Sequence, residues 1–158
     1  MPPAEKGWEM GQRDALLVSL ARRVGGTNEI VLVWGAVFKL PAAVGSEAEF
    51  VRNVGEWLAR DEDPLRFRVL KHEVTPFAGK GTTCARSHRL VEDSQALTET
   101  GNRVYMLREM VGLHCAHPKD QRLAVTVTYS HRYYTGRGDP ELLRKASAVL
   151  DSVEFADF

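Results

Sequence analysis

The chain has 158 residues, of which 44% are hydrophobic and 27% are charged, a balance typical of one globular domain with its own core. Its 21 lysines and arginines equal its 21 aspartates and glutamates, so the net charge is zero. That balance removes the usual electrostatic case for general nucleic-acid binding and argues against a polybasic membrane anchor. No apolar run reaches the roughly 18 residues of a membrane-spanning helix.

The start of the chain is polar and rich in turn-forming residues. We predict a loosely ordered lead-in over residues 1–14 and a single domain over residues 15–158. The first six residues lack the apolar centre of a secretory signal. This is expected of a chain that is not exported, and equally of one whose signal has been removed.

Residues 15–24 fit two patterns. Leu16, Leu20 and Val24 have helical spacing, whereas Leu16, Val18 and Leu20 alternate as in a strand. The next run, residues 29–40, is strongly β-forming, and the Gly-Gly-Thr-Asn sequence before it favours a tight turn. We therefore predict two successive strands here, with a helix over residues 15–24 as the alternative.

Two helices are predicted from capping signals and apolar stripes. Ser46 and Glu49 form a capping box, and an apolar stripe follows until Asp63-Pro64 stops the helix. Asp139-Pro140 predicts the start of a second helix, with a short last strand at residues 153–155. Between the helices, residues 65–77 predict a strand whose phase slips at Leu70, which indicates a bulge.

The centre of the chain predicts a long hairpin with one cysteine on each arm. Its arms are residues 81–92 and 103–115, joined through a turn at Gly101-Asn102. Because Cys84 and Cys115 lie symmetrically about this turn, constant antiparallel register places them opposite each other. The spacing is compatible with a disulfide in an oxidising compartment and with two buried thiols in a cytosolic protein.

A further strand follows the hairpin, because apolar and more polar residues alternate from Leu123 to Ser130. The predicted order is therefore β-β-α-β-β-β-β-α. Strands joined mostly by short turns predict a mainly antiparallel sheet of about six strands, covered by two amphipathic helices. The predicted fold class is α+β.

The same two cysteines raise two further possibilities, a metal site and a catalytic nucleophile. Cys84, His88, Cys115 and His117 are residue types that bind zinc. Residues four apart on a strand lie about 13 Å apart, which is too far for Cys84 and His88 to share one ion or to form a nucleophile pair. A site of Cys115, His117 and Cys84 is the alternative, but we predict no metal, no cofactor and no catalytic residue.

Four polar residues are candidates for binding a small ligand on the sheet. Arg86 and His88 lie on one hairpin arm, and His131 and Arg132 lie near the end of the last strand. The alternative is a solvated face whose histidines are hydrogen-bonded within the protein.

Several runs of the sequence carry a family resemblance: residues 67–73, 84–88, 92–93, 113–118 and 129–132. Together they resemble bacterial exported proteins, many of which look like predicted lipoproteins. The element order is similar to the PsbP-like layout of the photosystem extrinsic proteins. The resemblance implies a periplasmic or envelope location and a bridged Cys84–Cys115 pair, and it carries no catalytic residues.

We therefore expect a non-catalytic cell-envelope domain that binds a protein partner or assembles with its neighbours. The alternative is a small-ligand or metal-binding module that uses the four polar residues named above.

Overall fold

The computed structural model describes residues 5–24, 28–40, 42–60, 63–98 and 100–155. They form one sheet and two helices, consistent with the α+β class expected from the sequence. In chain order the elements are β1 (Glu9–Arg13), β2 (Leu17–Val24), β3 (Glu29–Lys39), α1 (Glu47–Arg60), β4 (Phe67–Phe77), β5 (Cys84–Leu97), β6 (Arg103–Ala116), β7 (Leu123–Tyr133) and α2 (Leu142–Asp151).

The sheet has seven strands in the order β1-β2-β3-β7-β6-β5-β4, and all neighbours are antiparallel. It consists of two meanders, β1 to β3 and β4 to β7, which are joined where β3 pairs with β7. The prediction of a mainly antiparallel sheet with two helices is confirmed, and the sheet has one strand more than the expected six.

The additional strand, β1, lies inside the predicted lead-in. Its five side chains are all exposed, and its backbone pairs with β2 through Glu9 opposite Ala21 and Met10 opposite Leu20. Sequence periodicity did not reveal it, because an edge strand held by backbone hydrogen bonds has no buried face. The strand predicted over residues 15–24 is confirmed as β2, whereas the turn after it lies outside the described residues.

The two helices cover opposite faces of the sheet. Cys84 and Cys115 belong to the core beneath α2, which we call the α2 face. Their neighbours Ala85 and Ala116 point the other way and pack beneath α1, on the α1 face. The sheet is therefore the middle layer of three.

The N-terminal ends of the two helices can be compared with the capping signals in the sequence. The backbone N–H of Glu49 donates to Ser46 Oγ at 3.2 Å, which confirms the capping box of α1. The second helix begins at Leu142, after a turn in which Asp139 Oδ1 accepts from the N–H of Glu141 at 2.9 Å. It therefore starts later than Asp139-Pro140 predicts.

The short final strand expected at residues 153–155 is wrong. Val153 and Phe155 pack against the core of the α2 face, and residues 153–155 do not join the sheet. Lys80 Nζ donates to the carbonyl of Val153 at 2.8 Å, so a side chain holds this segment where a strand partner was expected.

The central hairpin has the predicted register. Cys84 is opposite Cys115, and the pairing runs without a shift to Asp93 opposite Met106 before it slips by one residue at Ala96. The two cysteines form a disulfide bond and are 0% and 1% exposed. The bulge expected at Leu70 is confirmed as a register shift between Val69 and Lys71.

The more polar face of β7 is as deeply buried as its apolar face. Thr126, Thr128 and Ser130 are 1%, 7% and 7% exposed. The reason is position, because β7 is the middle strand of seven and lies between the two helical layers.

Candidate functional site

The four candidate ligand-binding residues do not form one group. Arg86, His88 and His131 lie on the α2 face, whereas Arg132 points to the α1 face, since adjacent strand residues alternate. Arg132 Nη2 donates to the backbone carbonyl of Asn28 at 3.2 Å. Arg132 therefore ties the end of β7 to the start of β3.

Arg86 holds the end of α2. Its guanidinium donates to Asp151 at 2.7 Å and lies 4.6 Å from the centre of the Phe77 ring. These contacts occupy both the charge and the flat face of the group, so Arg86 is a packing residue here.

His88 and His131 belong to a group that we call the polar cluster, which consists of His88, Glu109, His131 and Tyr133. The Nε2 atom of His88 lies 2.7 Å from Glu109 Oε1, and the Tyr133 hydroxyl donates to Glu109 Oε2 at 3.2 Å. Burial, the negative charge of Glu109 and this hydrogen bond raise the pKa of Tyr133 to about 12. Glu109 therefore links the side chains of His88 and Tyr133.

His131 lies deepest in the polar cluster. It is 4% exposed, its ring centre lies 4.8 Å from that of Tyr133, and neither of its ring nitrogens has a hydrogen-bond partner among the described residues. Burial lowers its pKa, against the opposing pull of Asp139 and Glu29. A neutral imidazole offers one donor and one acceptor, so His131 has both available.

Charged groups from β2, from α2 and from the segments that precede β1 and α2 lie next to the polar cluster. Glu5 forms ion pairs with Arg22 of β2 and with Lys145 of α2, each at 3.1 Å. Lys145 also pairs with Asp139 at 2.6 Å, and this hydrogen bond is the main reason that its pKa is raised. Tyr129, which is 1% exposed, lies on β7 among these charges, and its hydroxyl has no hydrogen-bond partner among the described residues.

Sequence reasoning did not single out Glu5, Arg22, Glu109 or Lys145. Glu109 could have been predicted, because the symmetry of the hairpin places it near His88. Glu5, Arg22 and Lys145 come from three separate parts of the chain, and no local pattern links them.

The structure also decides between the readings of the cysteines. Both sulfur atoms are in the buried disulfide bond, so neither is available as a thiolate nucleophile or metal ligand. Among the described residues there is no group of three or more histidine, cysteine or acidic side chains that could hold a metal ion.

A concave feature lies on the α1 face, and we call it the α1 cleft. It has a volume of about 350 Å³ and lies between α1, the end of β3 and the segment that follows β3. Its apolar lining is Phe38, Leu40, Val44, Phe50, Val54 and Trp57.

Ring packing and backbone hydrogen bonds hold the wall of the α1 cleft. The Phe38 and Trp57 rings stack with their centres 4.9 Å apart, and the Trp57 ring lies nearly perpendicular to the buried His114 ring, with the ring centres 5.8 Å apart. The segment after β3 is tied to the turn before β7, because Leu40 and Val44 donate backbone hydrogen bonds to Arg122 and Gln121. The cleft is therefore built into the fold.

No protein-family model matches this chain, and a search of curated proteins finds no match either. Within the part of the chain that the structure describes, no helix is long and apolar enough to cross a membrane. The polar cluster and the α1 cleft are therefore the features of the molecule that point to a function.

Proposed function

We propose that this protein is a non-catalytic domain of the cell envelope that binds a segment of a partner protein in the α1 cleft. The observation that carries the proposal is the α1 cleft itself, a preformed concave apolar surface of a size that takes bulky side chains. The polar cluster, in contrast, has two buried members, His131 and Tyr133, and two that are about one-fifth exposed, His88 and Glu109.

The rim of the α1 cleft indicates what kind of partner fits. Lys39 and Arg60 supply positive charge, Glu49 and Glu56 supply negative charge, and Asn53 adds an amide. A rim that carries both signs around an apolar floor suits a peptide, which offers an apolar side chain for the floor and polar backbone groups for the rim. We therefore expect one large aliphatic or aromatic residue of the partner to act as the anchor.

The envelope location is supported by the disulfide and by the family resemblance. Disulfides persist in oxidising compartments and are rare in the cytosol. The bridge joins β5 to β6 near one end of both strands and is buried in the core beneath α2, as expected of a structural disulfide.

The first prediction concerns Ala43, an exposed residue that lines the α1 cleft. Random peptides displayed on phage are selected on the wild-type protein and then measured on Ala43→Trp by calorimetry. We expect enriched peptides to share an apolar anchor and to bind Ala43→Trp at least tenfold more weakly, because the indole fills the cleft. A tenfold loss corresponds to about 1.4 kcal/mol.

The matched control is Ala59→Trp, which places the same side chain at an exposed position of α1 outside the cleft lining. It should bind the selected peptides as the wild type does. Peptides without a common anchor, or equal binding to wild type and Ala43→Trp, would contradict the proposal.

A second candidate function is a small-ligand module on the α2 face. The observation in its favour is His131, a buried imidazole whose two nitrogens have no hydrogen-bond partner among the described residues. Buried polar groups without partners are uncommon in folded proteins, and a ligand or an ordered water can satisfy them.

A further inference from the structure

The N-terminal strap, which we define as residues 5–8, lies across the α2 face beside the polar cluster. Its Glu5 carboxylate is held between Arg22 Nη2 and Lys145 Nζ, at 3.1 Å from each. Its Trp8 ring packs edge-on against Tyr129 at 6.5 Å, and the Arg22 guanidinium lies 5.6 Å from the Trp8 ring centre. One short segment thus places a carboxylate and an aromatic ring on the same group of residues.

The residues that receive the strap come from elsewhere in the fold. Arg22 lies on β2, Tyr129 on β7 and Lys145 on α2. Lys145 keeps a second partner in Asp139 at 2.6 Å, so its ammonium group stays in place independently of Glu5. The seat of the strap is therefore a fixed surface with two positive charges.

The strap leaves one polar group of its seat, the Tyr129 hydroxyl, without a hydrogen bond among the described residues. This hydroxyl is buried, and Glu5, Lys145 and Arg22 all act on its pKa. Leaving a buried donor unpaired carries a free-energy cost. A ligand that reached this hydroxyl with an oxygen atom would recover that cost.

We propose that Arg22, Tyr129 and Lys145 form a binding site for a small aromatic carboxylate, and that Glu5 and Trp8 occupy this site as a built-in competitor. The proposal rests on the second candidate function and names its ligand class. The ligand carboxylate takes the place of the Glu5 carboxylate, since charge-assisted hydrogen bonds to guanidinium and ammonium are the strongest available here. The ligand ring takes the place of the Trp8 indole.

A competing strap lowers the apparent affinity for the ligand. Only the fraction of molecules with the strap displaced can bind, so the measured dissociation constant rises as that fraction falls. Two partly exposed ion pairs hold Glu5, and each such pair contributes modestly to stability. Removing the charge of Glu5 should therefore tighten ligand binding by about three- to tenfold.

The second prediction tests this competition with indole-3-acetate as the probe, titrated into the ¹⁵N-labelled full-length protein. We expect the probe to bind the wild type and to move the Trp8 indole N–H resonance, which Trp8→Phe assigns. Glu5→Gln should bind about three- to tenfold more tightly, since its strap competes less. Lys145→Gln should lose binding, and the neutral indole-3-acetamide should not bind.

The matched control is Glu9→Gln, which removes a carboxylate from the exposed edge strand β1 and should bind the probe as the wild type does. Two outcomes would overturn the proposal: no binding of indole-3-acetate to the wild type, or equal affinity in Glu5→Gln and Glu9→Gln. Ala43→Trp should leave this binding unchanged, so a failure of the α1 cleft proposal is told apart from a failure here.

Discussion

At the scale of the residue, the clearest case is His114, which lies on the α1 face and is 1% exposed. Ser87 Oγ lies 2.8 Å from its Nε2 atom and Thr126 Oγ1 lies 2.8 Å from its Nδ1 atom, so both ring nitrogens are hydrogen-bonded. Burial, together with the nearby positive charge of Arg89, lowers its pKa to about 4. His114 is a structural histidine that stays neutral.

The third prediction follows from this pKa. Between pH 6.5 and about 4 the unfolded chain protonates His114 whereas the folded protein does not, so folded stability rises with pH across this window. The contribution is fully present above pH 6.5 and amounts to about 3 kcal/mol, lost as the pH falls toward 4. Urea unfolding at pH 7 and pH 4.5 measures it.

The comparison for that measurement is His114→Gln, which lacks the titrating group. Its free energy of unfolding should be lower than that of the wild type at pH 7, and the difference should narrow at pH 4.5. An identical pH dependence of the two proteins would contradict the account of His114.

Residue identities alone predicted part of the candidate sites. Sequence reasoning grouped His131 with Arg132, although strand alternation places adjacent residues on opposite faces, and the structure has them on opposite faces. The seat of Glu5 was not predictable, because Arg22 and Lys145 are 123 residues apart and meet only when α2 packs on the sheet. The hydrogen-bond partners of His114, Ser87 and Thr126, were also not predictable, because serine and threonine in a strand pattern indicate a solvent-facing side.

At the scale of the element, the hairpin of β5 and β6 was the most predictable part of the chain. Its turn signal and the symmetric cysteines fix one register, and Cys84 does lie opposite Cys115. The α1 cleft was not predictable, because the path of the segment after β3 depends on backbone hydrogen bonds to residues 121 and 122, nearly 80 positions away. Local patterns specify elements, whereas concave sites depend on how those elements meet.

The fourth prediction concerns a glycine of β6. A Cβ atom on Gly112 would lie 2.6 Å from His114 Nε2 and 2.7 Å from Ser87 Oγ. These two atoms are buried and paired with each other, so they cannot move apart without losing their hydrogen bond. Gly112→Ala should therefore lower the free energy of unfolding by about 1–3 kcal/mol.

The matched strand control is Gly35→Ala on β3, where the nearest atoms to a new Cβ lie at 3.6 Å, an ordinary contact distance. It should be neutral or slightly stabilising, because alanine restricts the unfolded chain more than glycine does. Chemical denaturation of the two variants gives the comparison. Equal stability of Gly112→Ala and Gly35→Ala would rule out the proposed crowding around His114.

At the scale of the whole molecule, the sheet separates two unlike surfaces. The α2 face carries the disulfide, the polar cluster and the strap, and the α1 face carries the buried His114 network and the α1 cleft. The sequence predicted both helices, but which face each one covers follows from the long-range pairing of β3 with β7 and from packing. A bridge between residues 31 positions apart stabilises this arrangement by about 3–4 kcal/mol in the chain-entropy model.

The proposed envelope location depends on this bridge being formed where the protein works, and a thiol count in its native cells tests the proposal most directly. The cells are quenched in acid, the protein is alkylated under denaturing conditions with and without reductant, and its mass is measured. We predict no free thiol before reduction and two after it, as expected of a Cys84–Cys115 disulfide formed in an oxidising compartment. Two alkylated cysteines without reductant would show a reduced protein and contradict the proposed envelope location.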